Sequence, residues 1–291
     1  MNGLSARHRA MLQEIGVPLW LPPALQRPAS GKHASARVEL AQSATTVSQP
    51  TQRIALPVRE PIKPARVALP SDDFVPTPPN VDWATVEWTP LQAAVAECRA
   101  CRLCLNRTQS VFGVGTDDAP LADRPLDWLV VGEGPGEQED LKGEPFVGAA
   151  GKLLDQMLAA MQLSRQRTSP QTPSLYITNV VKCRPPGNRN PMPDEVQACG
   201  AHLQAQIRLL KPRFILAMGR FAAQTLLKDS VADIDTVALG KLRGQVHRHG
   251  DIPVVVSYHP SYLLRNPAEK AKSWADLCLA LQAWADTNRT E

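Results

Sequence analysis

Aromatic side chains are scarce in this chain, at 5% of 291 residues, and its formal net charge is only +4. No apolar run approaches the ~20 residues needed to cross a bilayer, so a membrane-spanning protein is not expected. The opening "MNGLSARHRAMLQEIG" has no apolar signal core, and a cytoplasmic location is the expectation. The mild charge does not announce a nucleic-acid binder; any DNA contact has to come from a local basic surface. The six cysteines of a cytosolic chain of this size are not expected to pair as disulfides, because that compartment keeps thiols reduced. Metal ligation or plain burial remains for them.

What is present is a core. Hydrophobic residues make up 43% of the chain, enough for one good-sized domain plus extra material. The extra material lies first: 12 of the 27 prolines fall by position 79, in a segment without helical or strand periodicity. Residues 1–85 are therefore expected to be a disordered, proline-rich tail, in which "SARHRAMLQEIG" is the one candidate docking helix. From 86 to 291 short apolar runs alternate with helical patterns. "DWLVVGE", "SLYITNVV", "RFILAMG" and "IPVVVSYHP" read as buried strands. "WTPLQAAVAE", with Thr89 as N-cap and Pro90 in the first turn, "GAAGKLLDQMLAAMQL", "PDEVQACGAHLQAQIRLL", "RFAAQTLLK" and "AEKAKSWADLCLALQAWADT" read as helices. The alternation predicts an α/β domain of three αβα layers around a central, mainly parallel, four-stranded sheet.

Ligands of such sheets gather at the carboxyl ends of the strands. Three loops are marked out: "GEGPGEQED", "TNVVKCRPPGNRNP" and "SYHPSYLLR". The first is not a dinucleotide cradle. Its glycines are spaced G-x-G-x-G, Pro135 lacks an amide hydrogen, and the carboxylates of "EQED" would repel phosphate. "GAAGKL" is not a P-loop either, since Leu153 stands where Ser or Thr would hold Mg²⁺. A turn that lets backbone approach a flat ligand, with Glu133 beside it, fits better. Phe146 in "PFVG" and His259 in "HPSYLLR" stand after the same class of strand ends.

These blocks, in this order and with this cysteine pattern, resemble the family 4 uracil-DNA glycosylases, the iron–sulfur branch of their superfamily. The resemblance spans about Ala94 to Trp284. It implies an enzyme that hydrolyses the N-glycosidic bond of uracil in DNA, taking the base out of the stack into a pocket. Gly132 and Gly134 would let the pocket close on the base and Phe146 would stack on it. Asn179 would pair with the uracil edge, offering one donor and one acceptor. His259 would hydrogen-bond uracil O2 as negative charge builds there. Glu133 would orient water or offset charge on the sugar, although Gly134 stands where family 1 enzymes carry an aspartate. The resemblance also puts Leu263 in the gap left by the flipped base, with Leu264 in the core. Arg265, Arg184, Arg189 and Lys182 are candidate phosphate contacts. It assigns a [4Fe–4S] cluster to Cys98, Cys101, Cys183 and Cys199; Cys104 is extra, and Cys278 sits in an apolar helical stripe. Uracil-containing DNA is the expected partner of a monomer, with a protein partner for the tail. The alternative is a non-catalytic glycosylase-like DNA-binding module attached to replication machinery.

Overall fold

The computed structural model describes residues 74–115, 125–166 and 171–287. Nearly all of the expected tail, including the candidate docking helix, lies outside them. Its last residues are within: Thr77 pairs with Arg99, and Val81 and Trp83 pack against Val86, Leu91 and Val95.

The four runs expected as strands are β2 (Trp128–Gly132), β3 (Leu175–Asn179), β4 (Phe214–Met218) and β6 (Ile252–Ser257). They lie parallel in the order β3-β2-β4-β6. The sheet is nevertheless six-stranded. β1 (Val114–Gly115) and β5 (Val246–His249) add antiparallel edges beside β3 and β6. The first is two residues long and the second reads "VHRH", half exposed, so neither carries an apolar signature.

Side chains alternate across a strand, and here both faces are covered. Trp128 and Val130 of β2 point to one side, with Leu154, Met157, Trp274 and Leu277. Those residues come from α3 (Ala149–Ala160) and α8 (Lys270–Thr287). Leu129 and Val131 point to the other, with Leu203, Ile207, Ala223 and Leu226 of α4 (Pro193–Leu210) and α5 (Arg220–Leu227). The result is the three-layer αβα arrangement. α1 (Trp88–Glu97) packs behind α4, and begins before the expected Thr89 cap because Trp88 is buried and the Glu87 carbonyl accepts the Leu91 N–H at 2.9 Å.

Three further helices are short. α2 (Glu137–Lys142) follows the glycine loop, α6 (Leu239–Leu242) precedes β5, and α7 (Pro260–Arg265) follows β6. The chain leaves central β2 first for β3 on one side and then returns past it to β4 on the other. This reversal opens a cleft beyond the carboxyl ends of the strands, the usual ligand position in such sheets.

Candidate active site

A cavity of about 660 Å³ occupies that cleft. It is lined by Glu133 and Gly134 after β2, Asn179 at the end of β3, Gly219 after β4 and His259 after β6, with Phe146 from the loop before α3. The expected residues are thus brought together by strand ends that the sequence separates widely.

Close approach explains two glycines. Gly132 is paired with Asn179 across the sheet, and a Cβ there would collide with the Asn179 side-chain oxygen and the Phe146 ring. Gly219 has φ +93, and a Cβ would stand 3.0 Å from that of His259. Asn179 is 2% exposed, and its Oδ1 has no hydrogen-bond partner. Buried polar atoms are paired in the great majority of cases, so an orphan on a residue that lines a cavity marks a place for a donor from a ligand.

His259 is the N-cap of α7. Its Nδ1 accepts the Ser261 N–H at 3.2 Å, which leaves the proton of the neutral ring on Nε2. Burial, reinforced by the Arg265 guanidinium, holds its pKa down at about 4. At neutral pH it is an uncharged N–H donor. Its ring lies 5.3 Å from that of Phe146 at 30°. Glu133 behaves in the opposite sense: burial raises its carboxyl to about 7, against a smaller lowering by Arg265.

Phe146 adopts a left-handed backbone, φ 56, which a non-glycine residue holds only when its surroundings impose it. Arg165 imposes it. Its guanidinium donates to the carbonyls of Pro145 and Phe146, both at 2.6 Å, and to Asp155 Oδ1 at 2.6 Å. Glu139 fastens the other flank, accepting from Val147 and Gly148 N–H at 2.9 and 3.0 Å and from Gly136 N–H at 3.1 Å. Asp140 accepts the Thr108 N–H at 2.9 Å. Two of the three "EQED" carboxylates, Glu139 and Asp140, therefore brace backbone amides of neighbouring loops. Sequence inspection missed Arg165 and Glu139, whose partners are carbonyls and amides that no motif displays.

Several sequence expectations are corrected. Leu263 is 1% exposed and packed in the core, because α7 turns its fourth residue inward; Leu264 is 44% exposed, so the two leucines exchange places. Lys182 is fully enclosed and cannot reach a phosphate. Burial lowers its pKa to about 8, and it remains an ammonium at neutral pH. Arg189 lines the cavity, and its fork grips buried Glu195 at 2.6 and 2.8 Å, which makes it a brace of the loop. Arg265 is exposed at the cavity mouth. Arg184 holds Asn188 at 2.7 Å and stands 3.8 Å from exposed Glu137.

Cys98, Cys101, Cys183 and Cys199 converge from α1, the following turn, the loop after β3 and α4, and border one small cavity. Cys104 borders it too. Among the described residues no group is drawn tightly enough for a single metal ion. A cluster of several irons, however, keeps its thiolates farther apart than one ion does. The surroundings fit such a group. Arg107 donates to Cys183 Sγ at 3.0 Å, the Lys182 amide donates to Cys199 Sγ at 3.3 Å, and His202 presents a buried, unpartnered Nε2 at the cavity wall. Burial pushes the Cys101 and Cys199 thiols up to about 11 and about 12, so a bound metal has to displace their protons.

With the cavity defined, comparison with known proteins decides the family. A model described as the uracil DNA glycosylase superfamily matches residues 120–279. The chain belongs to that superfamily. Similar members include a type-4 uracil-DNA glycosylase of Archaeoglobus fulgidus, 42% identical over 60% of this chain and 81% of the relative. A type-4 enzyme of Thermotoga maritima is 42% identical over 61% of this chain and 83% of its own length. One from Sulfurisphaera tokodaii is 38% identical over 61% and 76%. In this glycosylase-superfamily chain the matched region contains Glu133, Phe146, Asn179 and His259, together with Cys183 and Cys199.

Proposed function

We infer that the protein is a DNA repair glycosylase that hydrolyses the bond between uracil and deoxyribose, releasing uracil and leaving an abasic site. The observation that carries this is the buried, unpartnered Oδ1 of Asn179, a residue that lines the same cavity as His259. Uracil presents an N–H donor beside carbonyl acceptors, and the Asn179 amide complements that edge. Cytosine lacks the N–H at that position and would leave Oδ1 facing another acceptor.

As the bond from N1 to the sugar breaks, its electron pair moves onto the uracil ring and toward O2. The neutral His259 Nε2–H meets that charge without any proton having to be taken up first. Phe146 provides an apolar face for the ring. The Glu133 carboxylate, ionised in its upper pH range, opposes the positive charge developing on the sugar and orients the water whose oxygen bonds to the anomeric carbon and whose released proton balances the departing uracil anion. Arg265 and Arg184 meet phosphates at the rim, and exposed Leu264 fills the space vacated by the base. Cys98, Cys101, Cys183 and Cys199 would hold the [4Fe–4S] cluster, whose bonds fasten the loop after β3 to the first helix. No chemical step passes through it.

Excision from strands containing a single uracil, thymine or cytosine, run beside His259→Ala, tests the assignment. Abasic product is expected from uracil alone. The variant should turn over about 10²–10³-fold more slowly with DNA affinity kept, the usual cost of one transition-state donor. Retention of DNA without cleavage by the parent protein would instead identify a binding module.

A further inference from the structure

Lys182 is among the largest fully buried side chains of the protein, and it is charged. Its ammonium sits 2.7 Å from Thr178 Oγ1, 2.7 Å from the Asn179 carbonyl and 2.6 Å from Gln206 Oε1. Neighbouring bonds fix the direction of each contact. The Thr178 hydroxyl donates to the Phe112 carbonyl at 2.8 Å, and Gln206 Nε2 donates to the same oxygen at 3.0 Å. Both residues therefore turn an acceptor toward Lys182, and all three ammonium protons are used.

These acceptors are neutral, so the hydrogen bonds satisfy the nitrogen and leave its charge uncompensated. An enclosed cation costs several kcal/mol unless an anion stands near it. Among the described ion pairs no carboxylate fills that part. The groups placed to supply an anion, once a bound cluster displaces their protons, are the cysteines: Lys182 precedes Cys183, its amide donates to Cys199 Sγ, and it borders the cysteine cavity. On its other side, the peptide leaving Asn179 is held at both ends. Its carbonyl accepts from Lys182, and the Val180 N–H donates to the Gly132 carbonyl at 3.0 Å.

We propose that Lys182 is a positioning residue joining the cysteine site to the uracil-reading Asn179, with its charge balanced by the thiolates of the bound cluster. This rests on the glycosylase assignment above. Two consequences separate. The fixed positive charge raises the reduction potential of the cluster, since net charge and nearby hydrogen bonds set such potentials. The bond to the Asn179 carbonyl keeps the amide aimed into the cavity.

Lys182→Met and Gln206→Glu, made in the full chain, distinguish them. Iron content, the midpoint potential of the cluster and inhibition by free uracil are measured for each. Lys182→Met should retain iron, lower the potential, and weaken uracil inhibition by about tenfold, the equivalent of one charge-assisted hydrogen bond. Gln206→Glu keeps an acceptor oxygen against the ammonium and balances its charge, at the loss of the bond to the Phe112 carbonyl, so it should lower the potential and leave uracil inhibition near the parent value. This second variant serves should the first not fold. A parent-like potential in Gln206→Glu, or parent-like uracil inhibition in a folded Lys182→Met, overturns the proposal. Parent protein that excises no uracil would overturn the glycosylase assignment itself, which the parent assay reports separately.

Discussion

The pH dependence of kcat/KM offers a direct test of the division of labour between Glu133 and His259. This quantity reports groups of the free enzyme. Burial places Glu133 at about 7 and His259 at about 4, so Glu133 is the cavity group that titrates across the neutral range. Its folded-state pKa is raised, so the carboxylate is scarce below that value and dominant above it. The ionised fraction climbs from roughly one-tenth at pH 6 to roughly nine-tenths at pH 8, and kcat/KM should climb about tenfold with it. His259, neutral down to about pH 4, adds no limb of its own across this range. Glu133→Gln removes the titrating group, and its profile should be flat and low. Arg265 lowers Glu133, so Arg265→Gln should move the limb to higher pH whatever it does to DNA affinity. Single-turnover excision from a short uracil-containing strand, at constant ionic strength between pH 5 and 9, supplies the data. A flat parent profile, or a limb that survives in Glu133→Gln, would refute the assignment of the active form to the carboxylate.

The adjacent leucines give a second test. Leu263→Ala empties part of the core and should cost about 2–5 kcal/mol in denaturant unfolding. Leu264→Ala should stay within about 0.5 kcal/mol of the parent yet slow excision from duplex DNA more than from single strands. Arg165→Ala strips the carbonyls of Pro145 and Phe146 of their donor; a loss of about 2–3 kcal/mol is expected, with a lower kcat/KM for uracil excision. An Arg165→Ala protein equal to the parent in both respects would remove Arg165 from the account of how Phe146 is held.

The parallel strands were legible in the sequence because burial on both faces requires continuous apolar runs, and "DWLVV" or "RFILAM" can be little else. The edge strands were not. β5 faces solvent and tolerates His and Arg, and β1 is too short to have a period. Glu133, Asn179 and His259 were legible because they stand at or just beyond strand ends, where this sheet order opens its cleft, and Phe146 because its motif follows the glycine loop in the family that the blocks resemble. Errors arose where side-chain direction decides the role. The spacing from His259 to Leu263 is one helical turn, and that turn points the leucine into the protein. The charge of Lys182 suggested solvent, whereas its neighbours in space are a threonine, a glutamine and a carbonyl. Glu139 and Arg165 were invisible as functional residues because their partners belong to the backbone.

The cysteine cavity also bears on how the protein assembles. Its walls come from both ends of a span running from Cys98 to Cys199, so nothing can enclose a metal there until that entire span has left the ribosome. During synthesis the early thiols wait unprotected for their late counterparts. Were a cluster held there, its insertion and the final docking of the first helix would be one event.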